Sequence, residues 1–512
     1  VSNNTALTYL NCRYNQLTSL DVSSNTALEL FYCTHNQLTY LNMRNGITEQ
    51  LIDFSAKNNS LTCVEVNADD VAYATANWTN EFDVGVTFDF ICGSEARTHW
   101  YVATTGSDAS GSGTLASPLA TIQTAINVTT ESDTVSVAAG TYVENIDFGG
   151  KNIAVIGADR ETTIIDGNQA GSVVQFEYYE DSTAVLSGFT IQNGASTNFA
   201  GGIQVGWASP TLTNLIVKNN STTFRGGGIS MGGNPTLSNV VIKGNSAEGY
   251  GGGIYKTAAP DDSDETFLSN VLIIGNSTGY NGGGIYLSGG SNMILTNVTI
   301  ANNSHQNQGG GIFLRDSCSV NLVNSIVRDN EHPEIYFDTF GDQSHPNDIT
   351  VAYSNITGGL DGIITNDNGT ITWGDGNVDI DPLFVDADSA DYHLSDLSPV
   401  ISAAASEVTI DGVTYTAPTT DIEGNPRPNP AGTVPDMGAY ENENGAGLYN
   451  GPVWYVDASS ELPYANGGPG APFSKIQYGI NAAANGDTVS VVAGTYVENI
   501  NFNGKNIAVI GA

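Results

Sequence analysis

The feature that most constrains this chain is a repeat running from Gly201 to Asn330. Five times a pair of glycines leads into isoleucine: Gly201-Gly202-Ile203, Gly227-Gly228-Ile229, Gly252-Gly253-Ile254, Gly283-Gly284-Ile285 and Gly310-Gly311-Ile312. Each copy continues to an asparagine, a short β-branched run and a second asparagine, giving the pairs Asn214/Asn220, Asn239/Asn245, Asn270/Asn276, Asn297/Asn303 and Asn324/Asn330. The first asparagines recur after 25, 31, 27 and 27 residues. A unit of that size cannot bury its own apolar face, so copies must stack as a solenoid. Three short strands per unit suit a parallel β-helix, in which each coil bonds to the next and like residues form ladders.

Strand alternation then assigns side chains to faces. After the first asparagine the inward residues are Leu215/Val217, Val240/Ile242, Val271/Ile273, Val298/Ile300 and Ser325/Val327. The second asparagines are expected to stack and to bond turn amides from coil to coil. The glycines are expected to permit positive φ and close backbone approach. Both sets read as structural.

The row after Gly-Gly-Ile is more informative. With isoleucine inward, Gln204, Ser230, Tyr255, Tyr286 and Phe313 stack on the outer face, and Val205, Met231, Lys256, Leu287 and Leu314 point in. Lys256 is a charge in an apolar ladder. Its coil is also the longest and carries Asp261, Asp262, Asp264 and Glu265, while Arg315 and Asp316 follow Phe313. Ring faces stack on sugar CH groups and carboxylates bond hydroxyls, so Tyr255, Tyr286, Phe313 and Lys256 form a candidate sugar-binding surface. Asp261, Asp262, Asp264 and Glu265 are oxygen donors suited to Ca²⁺. The plainer alternative is a sheet-stabilising aromatic ladder beside a solvated acidic loop.

Residues 1–66 carry a shorter repeat, in which Asn15-Gln16-Leu17-Thr18-Ser19-Leu20 returns as Asn36-Gln37-Leu38-Thr39-Tyr40-Leu41 and, more loosely, as Asn59-Ser60-Leu61-Thr62-Cys63-Val64. This resembles a leucine-rich repeat, with leucines inward and asparagine bonding turn backbone. The following segment, with Trp78 and Cys92, resembles the terminal cap of such modules in secreted Bacteroidetes proteins, and a Cys63–Cys92 disulfide would close it. Cys12 and Cys33 occupy equivalent repeat positions and read as stacked small residues, Cys318 as interior.

Residues 100–158 match 454–512 without a gap at a constant offset of 354 residues. In the first copy, within Ser117-Pro118-Leu119-Ala120-Thr121-Ile122-Gln123-Thr124-Ala125-Ile126, the stretch Ile122–Ile126 predicts one short helix, followed by strands at Thr134–Val137 and Ile153–Ile156. This segment, with Ala139-Gly140-Thr141-Tyr142-Val143-Glu144-Asn145, resembles the N-terminal cap of right-handed parallel β-helices of the pectate-lyase-like superfamily. The Gly-Gly-Ile units also resemble repeats of chlamydial surface adhesins, although their companion Phe-x-x-Asn motif is mostly replaced here. From Asp379 to Glu441 the chain resembles the closing segment of exported bacterial β-helix proteins. There Arg427 among Asp421, Asp436 and Glu441 reads as a cap held by one cation rather than an acid/base set.

The expected organisation is a leucine-rich module over 1–97, a right-handed β-helix with caps at both ends over 98–441, a Gly/Asn-rich linker over 442–452, and the opening of a second β-helix over 453–512, with contact between consecutive domains. Residue 1 falls inside a repeat, so the chain reads as the interior of a longer one. The last segment is the least able to bury a core alone.

A chain with 15 Lys plus Arg against 54 Asp plus Glu, net charge −39, repels nucleic acid and anionic membranes. It also repels polyuronates unless cations intervene. No run is apolar for long enough to span a bilayer. The superfamily resemblance implies a polysaccharide lyase as one reading: β-elimination with Lys256 and Arg315 as catalytic cations and Ca²⁺ on the acidic insertion. The lyase's Arg-x-Pro-x-x-Arg signature and the related hydrolases' Asn-Thr-Asp, Asp-Asp and Gly-His-Gly series are not in the sequence. The expectation is therefore an exported, extracellular bacterial cell-surface protein that binds a polysaccharide, surface glycan or protein and acts in adhesion, with the lyase and a purely structural stalk as alternatives.

Overall fold

The structure is a computed structural model that describes all residues except 1–3, 94–96, 260–264, 339–344, 397, 445–448, 450, 461–464 and 470–471. Its body is a parallel β-helix. One sheet rises without a break from His99–Val102 to Gly369–Trp373, and a second rises from Ile146–Asp147 to Ile363–Ile364. A third, of two-residue strands, runs from Ala195–Ser196 to Ser304–His305. The Gly-Gly-Ile strands pair in register, Ile203 with Ile229, then Ile254, Ile285 and Ile312. The same ladder continues to Ile335 and Ile363, in coils that lack the Gly-Gly pair. One apolar core extends from Phe90 to Ile363 and includes all the inward valines, leucines and isoleucines expected from alternation.

The coils are clamped by the second asparagines. Asn220, Asn245, Asn276 and Asn303 each donate from Nδ2 to the Oδ1 of the next in line, at 3.1, 3.0, 2.9 and 2.8 Å, ending on Asn330. The same Oδ1 atoms accept the backbone N–H of the preceding asparagine at 3.0 Å. Each Nδ2 also reaches a strand carbonyl one coil back, as Asn276 does to Ile242 O at 3.0 Å. A carboxamide supplies both an acceptor and two donors, so one buried side chain per coil satisfies the backbone groups freed where the strand turns. The first asparagines do something different: Asn214, Asn239, Asn270, Asn297 and Asn324 all adopt φ of 51–55°, making a corner inside the long strand. Asparagine is the non-glycine residue that tolerates this left-handed conformation best.

The Gly-Gly pairs permit contact. A Cβ on Gly253 would lie 2.7 Å from Gly284 O and 3.1 Å from the Asn276 Nδ2, so only glycine lets adjacent coils meet beside the asparagine ladder.

The cap is a helix, α2, at Ile122–Val128, preceded in the chain by α1 at Val71–Asn77. The Glu144 carboxylate accepts the Ile122 and Gln123 N–H groups, both at 2.9 Å, at the positive end of α2. Lys151 Nζ donates to Ile126 O, Asn127 O and Thr129 O at the negative end. The later copy repeats the cap with α3, Ile476–Ala482, held by Glu498 and Lys505. Its core residues fare differently. Ile146 and Phe148 are fully buried, Phe148 against Phe176 of the next coil, whereas Ile500 and Phe502 are 43% and 41% exposed.

In the first module each repeat forms two strands rather than one. Tyr9–Asn11, Leu30–Tyr32 and Asp53–Ser55 make one parallel sheet, and Ser19–Asp21, Tyr40–Asn42, Cys63–Glu65 and Thr87–Asp89 another. Asn36 and Asn59 bond the preceding coil through Leu17 N and Leu38 N, both at 3.1 Å. Cys63 and Cys92 form a disulfide; Cys33 and Cys318 are buried and Cys12 is partly so. The module meets the β-helix cap where Asn42 Nδ2 donates to Ala109 O at 3.0 Å and Arg44 to Gly111 O at 2.8 Å. Among the described residues no helix is long and apolar enough to cross a membrane.

The segment expected to close the end of the helix instead lies along its side. Tyr392, Ile422 and Ala439 pack on Ile216, Val241, Leu272, Ile274 and Ala301 of four successive coils, and Val400, Ile401 and Met437 pack on Ile326. The first asparagines anchor this strap: Asn270 Nδ2 donates to Thr420 O at 2.7 Å and Asn324 Nδ2 to Ala405 O at 2.7 Å. Arg427, fully buried, donates to Glu441 at 2.9 Å and to Asn270 Oδ1 at 2.9 Å. Asp421, Asp436 and Glu441 each accept backbone N–H groups on both carboxylate oxygens: Asp436 from Ser402 and Asn442, Asp421 from Glu423, Asn425 and Glu441, and Glu441 from Asn429 and Asp436. These carboxylates hold the loops of the strap.

Two predictions follow from these contacts. Asn276→Ala orphans buried donors and acceptors on both neighbouring coils, and urea unfolding is expected to show a loss of about 3 kcal/mol, well above that of an exposed Asn→Ala change. The strap also carries a pH dependence. Burial raises the carboxyls of Asp436 and Glu441 above their usual range, the first further through its neighbour Glu441, the second despite Arg427. His393 is raised too: burial opposes its charge, but hydrogen bonds to Asp391 and Glu423 outweigh that. A group that binds its proton more tightly when folded adds stability below its unfolded pKa and loses it as pH rises through the folded value. The depressed carboxylates Asp166 and Asp391 act only below about pH 4. The melting midpoint should therefore rise as pH falls from 8 towards 6, with His393→Gln flattening the profile.

Candidate functional site

The corner that follows each Gly-Gly-Ile strand is where the sequence breaks its own pattern. Tyr255, Tyr286 and Phe313 do stack in register, with centroids 5.4 and 5.0 Å apart and planes within 13° and 9°, and Tyr336 extends the stack at 5.6 Å. The three rings are only 5%, 2% and 1% exposed, which differs from the open surface expected of them. The physical cause is the glycine turn before each strand. Gly251, Gly282 and Gly309 take φ of 67–73°, and the chain folds back so closely that a Cβ on Gly282 would lie 2.8 Å from the Tyr286 Cβ. Tyr250 then covers the Tyr286 ring at 4.9 Å. Arg225 donates to Tyr255 Oη at 2.9 Å and lies over its ring. Burial pushes the Tyr286 phenol up, opposed by its hydrogen bond from Arg315.

Lys256 is fully buried, in register between Met231 and Leu287. Its Nζ donates to Thr257 O at 2.7 Å and to Asn234 Oδ1 at 3.3 Å. An amine enclosed in this way does not meet a polymer lying on the surface. Arg315 pairs with Asp316 at 3.2 Å and Asp338 at 3.5 Å. Asp261, Asp262 and Asp264 lie outside the described residues, and Glu265 is exposed. Among the described residues no group of three His, Cys, Asp or Glu side chains is placed to hold a metal ion.

The corner after the same strand, two and three coils before Tyr255, presents what the Tyr-Tyr-Phe stack does not. Tyr178 and Tyr179, after the strand Val174–Phe176, are 59% and 70% exposed, and Trp207, after Ile203–Val205, is 58% exposed. Tyr179 and Trp207 face each other across adjacent coils, centroids 6.1 Å apart and planes at 39°. The next coil has Gly232-Gly233 here. A Cβ on Gly232 would lie 3.0 Å from Gly206 O and 3.7 Å from Trp207 Cδ1, so this coil passes close beside the indole without a side chain of its own. The preceding coil has Gly149-Gly150 at the same corner, with Gly150 3.2 Å by the same measure from the Tyr178 Cβ.

This platform is held in place. Tyr179 adopts φ 67°, which a bulky residue takes only when its surroundings fix it. Glu180, 1% exposed, supplies the fixing: its two carboxylate oxygens accept the Gly150 and Tyr178 N–H groups, each at 2.9 Å, while its carbonyl accepts Ser209 N–H at 2.7 Å. Gln204 Nε2 donates to Glu177 at 2.7 Å, tying the two coils again. Alternation missed these residues because it follows strands, and Tyr178, Tyr179 and Trp207 lie in the turns between them. The signal in the sequence was a tryptophan set in a Gly-Trp-Ala-Ser turn, where no core position calls for an indole.

Comparison with known proteins bears on the fold. The family model for the right handed beta helix region matches residues 176–330 and 262–379. No curated protein matches the chain. Four solved chains match, among them the crystal structure of pectate lyase Pel9A, at 17% identity and a TM-score of 0.38, over 67% of this chain and 96% of that one. The chain from the cap at His99 to the strand Gly369–Trp373 is thus a right-handed parallel β-helix.

Proposed function

We propose that this is an exported cell-surface repeat protein whose β-helix binds polysaccharide, in an adhesive rather than a catalytic role. The observation that carries the reading is the pair of exposed rings on consecutive coils, Tyr179 and Trp207, held rigid and flanked by glycine corners. Indole and phenol faces stack on the CH faces of sugar rings, and their removal from water is most favourable on a preformed platform that loses little freedom on binding. The buried Tyr255, Tyr286 and Phe313 stack serves as the stiff floor of the same corner, two coils on. Lys256 supports the scaffold through Asn234 and Thr257 rather than meeting ligand.

The test is a glycan array probed with the full chain and with Tyr179→Ala/Trp207→Ala. Retained glycans should bind the double variant about tenfold or more weakly, as the loss of one or two stacking contacts implies. Equal binding by both proteins contradicts the platform, and a blank array favours a structural stalk. Calcium-dependent release of unsaturated products from uronate polymers, lost in Lys256→Ala, would replace this reading with the lyase.

A further inference from the structure

Resting on that reading, we infer that the ligand is an uncharged polysaccharide lying along the solenoid axis across Tyr178, Tyr179 and Trp207. The direction comes from the order of the corners. From one coil to the next they read Gly149-Gly150, Tyr178-Tyr179, Trp207, Gly232-Gly233, so rings occupy the middle of a track whose two ends carry no side chains. Coils stack at about 4.8 Å. A track of several coils therefore suits an extended chain better than a single sugar, and a ligand running across the coils would leave it after one ring.

The charge of the ligand follows from what surrounds the track. Glu177 immediately precedes Tyr178, its Cα 3.2 Å from where a Gly206 Cβ would stand, and Asp181 follows Glu180. Hydrogen bonds from the Thr183 hydroxyl and N–H hold the Asp181 carboxyl below its usual range, so it stays ionised. The nearby cations are committed elsewhere. Lys151 caps α2 through three carbonyls, and Lys256 is enclosed beneath the next coil but one. A uronate polymer would bring carboxylates to an acidic corner on a chain of net charge −39. A neutral polymer brings no charge to that corner and can lay its CH faces on the rings.

Affinity electrophoresis of the full chain in gels containing mixed-linkage β-glucan, glucomannan or polygalacturonate tests this. The expected result is retardation in at least one neutral gel, unchanged between low and high salt and abolished by Trp207→Ala. Tyr280→Ala removes an exposed ring from a different corner and should leave the retardation intact. Retardation by polygalacturonate alone, lost in Trp207→Ala, overturns the inference about charge but leaves the glycan reading standing. Neutral retardation that survives Trp207→Ala overturns the placement, and no retardation in any gel overturns the glycan reading itself. Circular dichroism of both variants checks that the fold is kept.

Discussion

The structure depends on one repeated interaction, the buried asparagine clamp from Asn220 to Asn330. A β-helix has ample apolar surface to bury, but every corner frees backbone groups that a dry interior cannot leave unpaired. One carboxamide per coil answers this, because it donates back to one coil and accepts from the other. The glycine pairs are then required for room, since any Cβ there would collide with the clamp or the neighbouring coil. The corner that leaves the Gly-Gly-Ile strand bears none of this duty. It is free to vary, and there successive coils carry rings, glycines and then a buried lysine.

The strap shows the same economy of polar groups at larger scale. The first asparagines turn the long strand with a left-handed backbone and so point their amides outwards. Those amides receive a sixty-residue stretch of chain, with Arg427 and its carboxylates closing the far side. A solenoid's flank, usually a row of solvated strands, becomes a second buried layer. The core of the helix and the packing of the strap are thus set by two asparagines of one repeat, six residues apart.

Much of this was legible in the sequence. The repeat predicted a parallel β-helix, alternation predicted its inward residues from Leu215 to Val327, and the duplicated segment predicted a helix that the structure places at Ile122–Val128 and again at Ile476–Ala482. The second asparagines form the ladder expected of them. What the sequence did not disclose were the consequences of folding at the turns. Nothing in Gly-Gly-Gly-Ile-Tyr says that the turn will fold over the tyrosine, so Tyr255, Tyr286 and Phe313 looked open and are covered. Nothing in Glu-Tyr-Tyr-Glu says that the second glutamate will be buried and hold both tyrosines outwards. The closing segment carried no sign that it would lie on the flank, because its anchors are asparagines already accounted for by the repeat.

The central claim is that Trp207 stacks on a polysaccharide, and its own fluorescence tests it most directly. Of the five tryptophans, Trp78, Trp100 and Trp454 are buried and Trp373 is partly so, which leaves Trp207 as the exposed indole. Titration with neutral β-glucan or glucomannan should shift the emission to the blue and protect it from acrylamide quenching, and Trp207→Phe should abolish that protection. Emission and quenching that do not change at saturating polysaccharide, or that change equally in Trp207→Phe, would contradict the account.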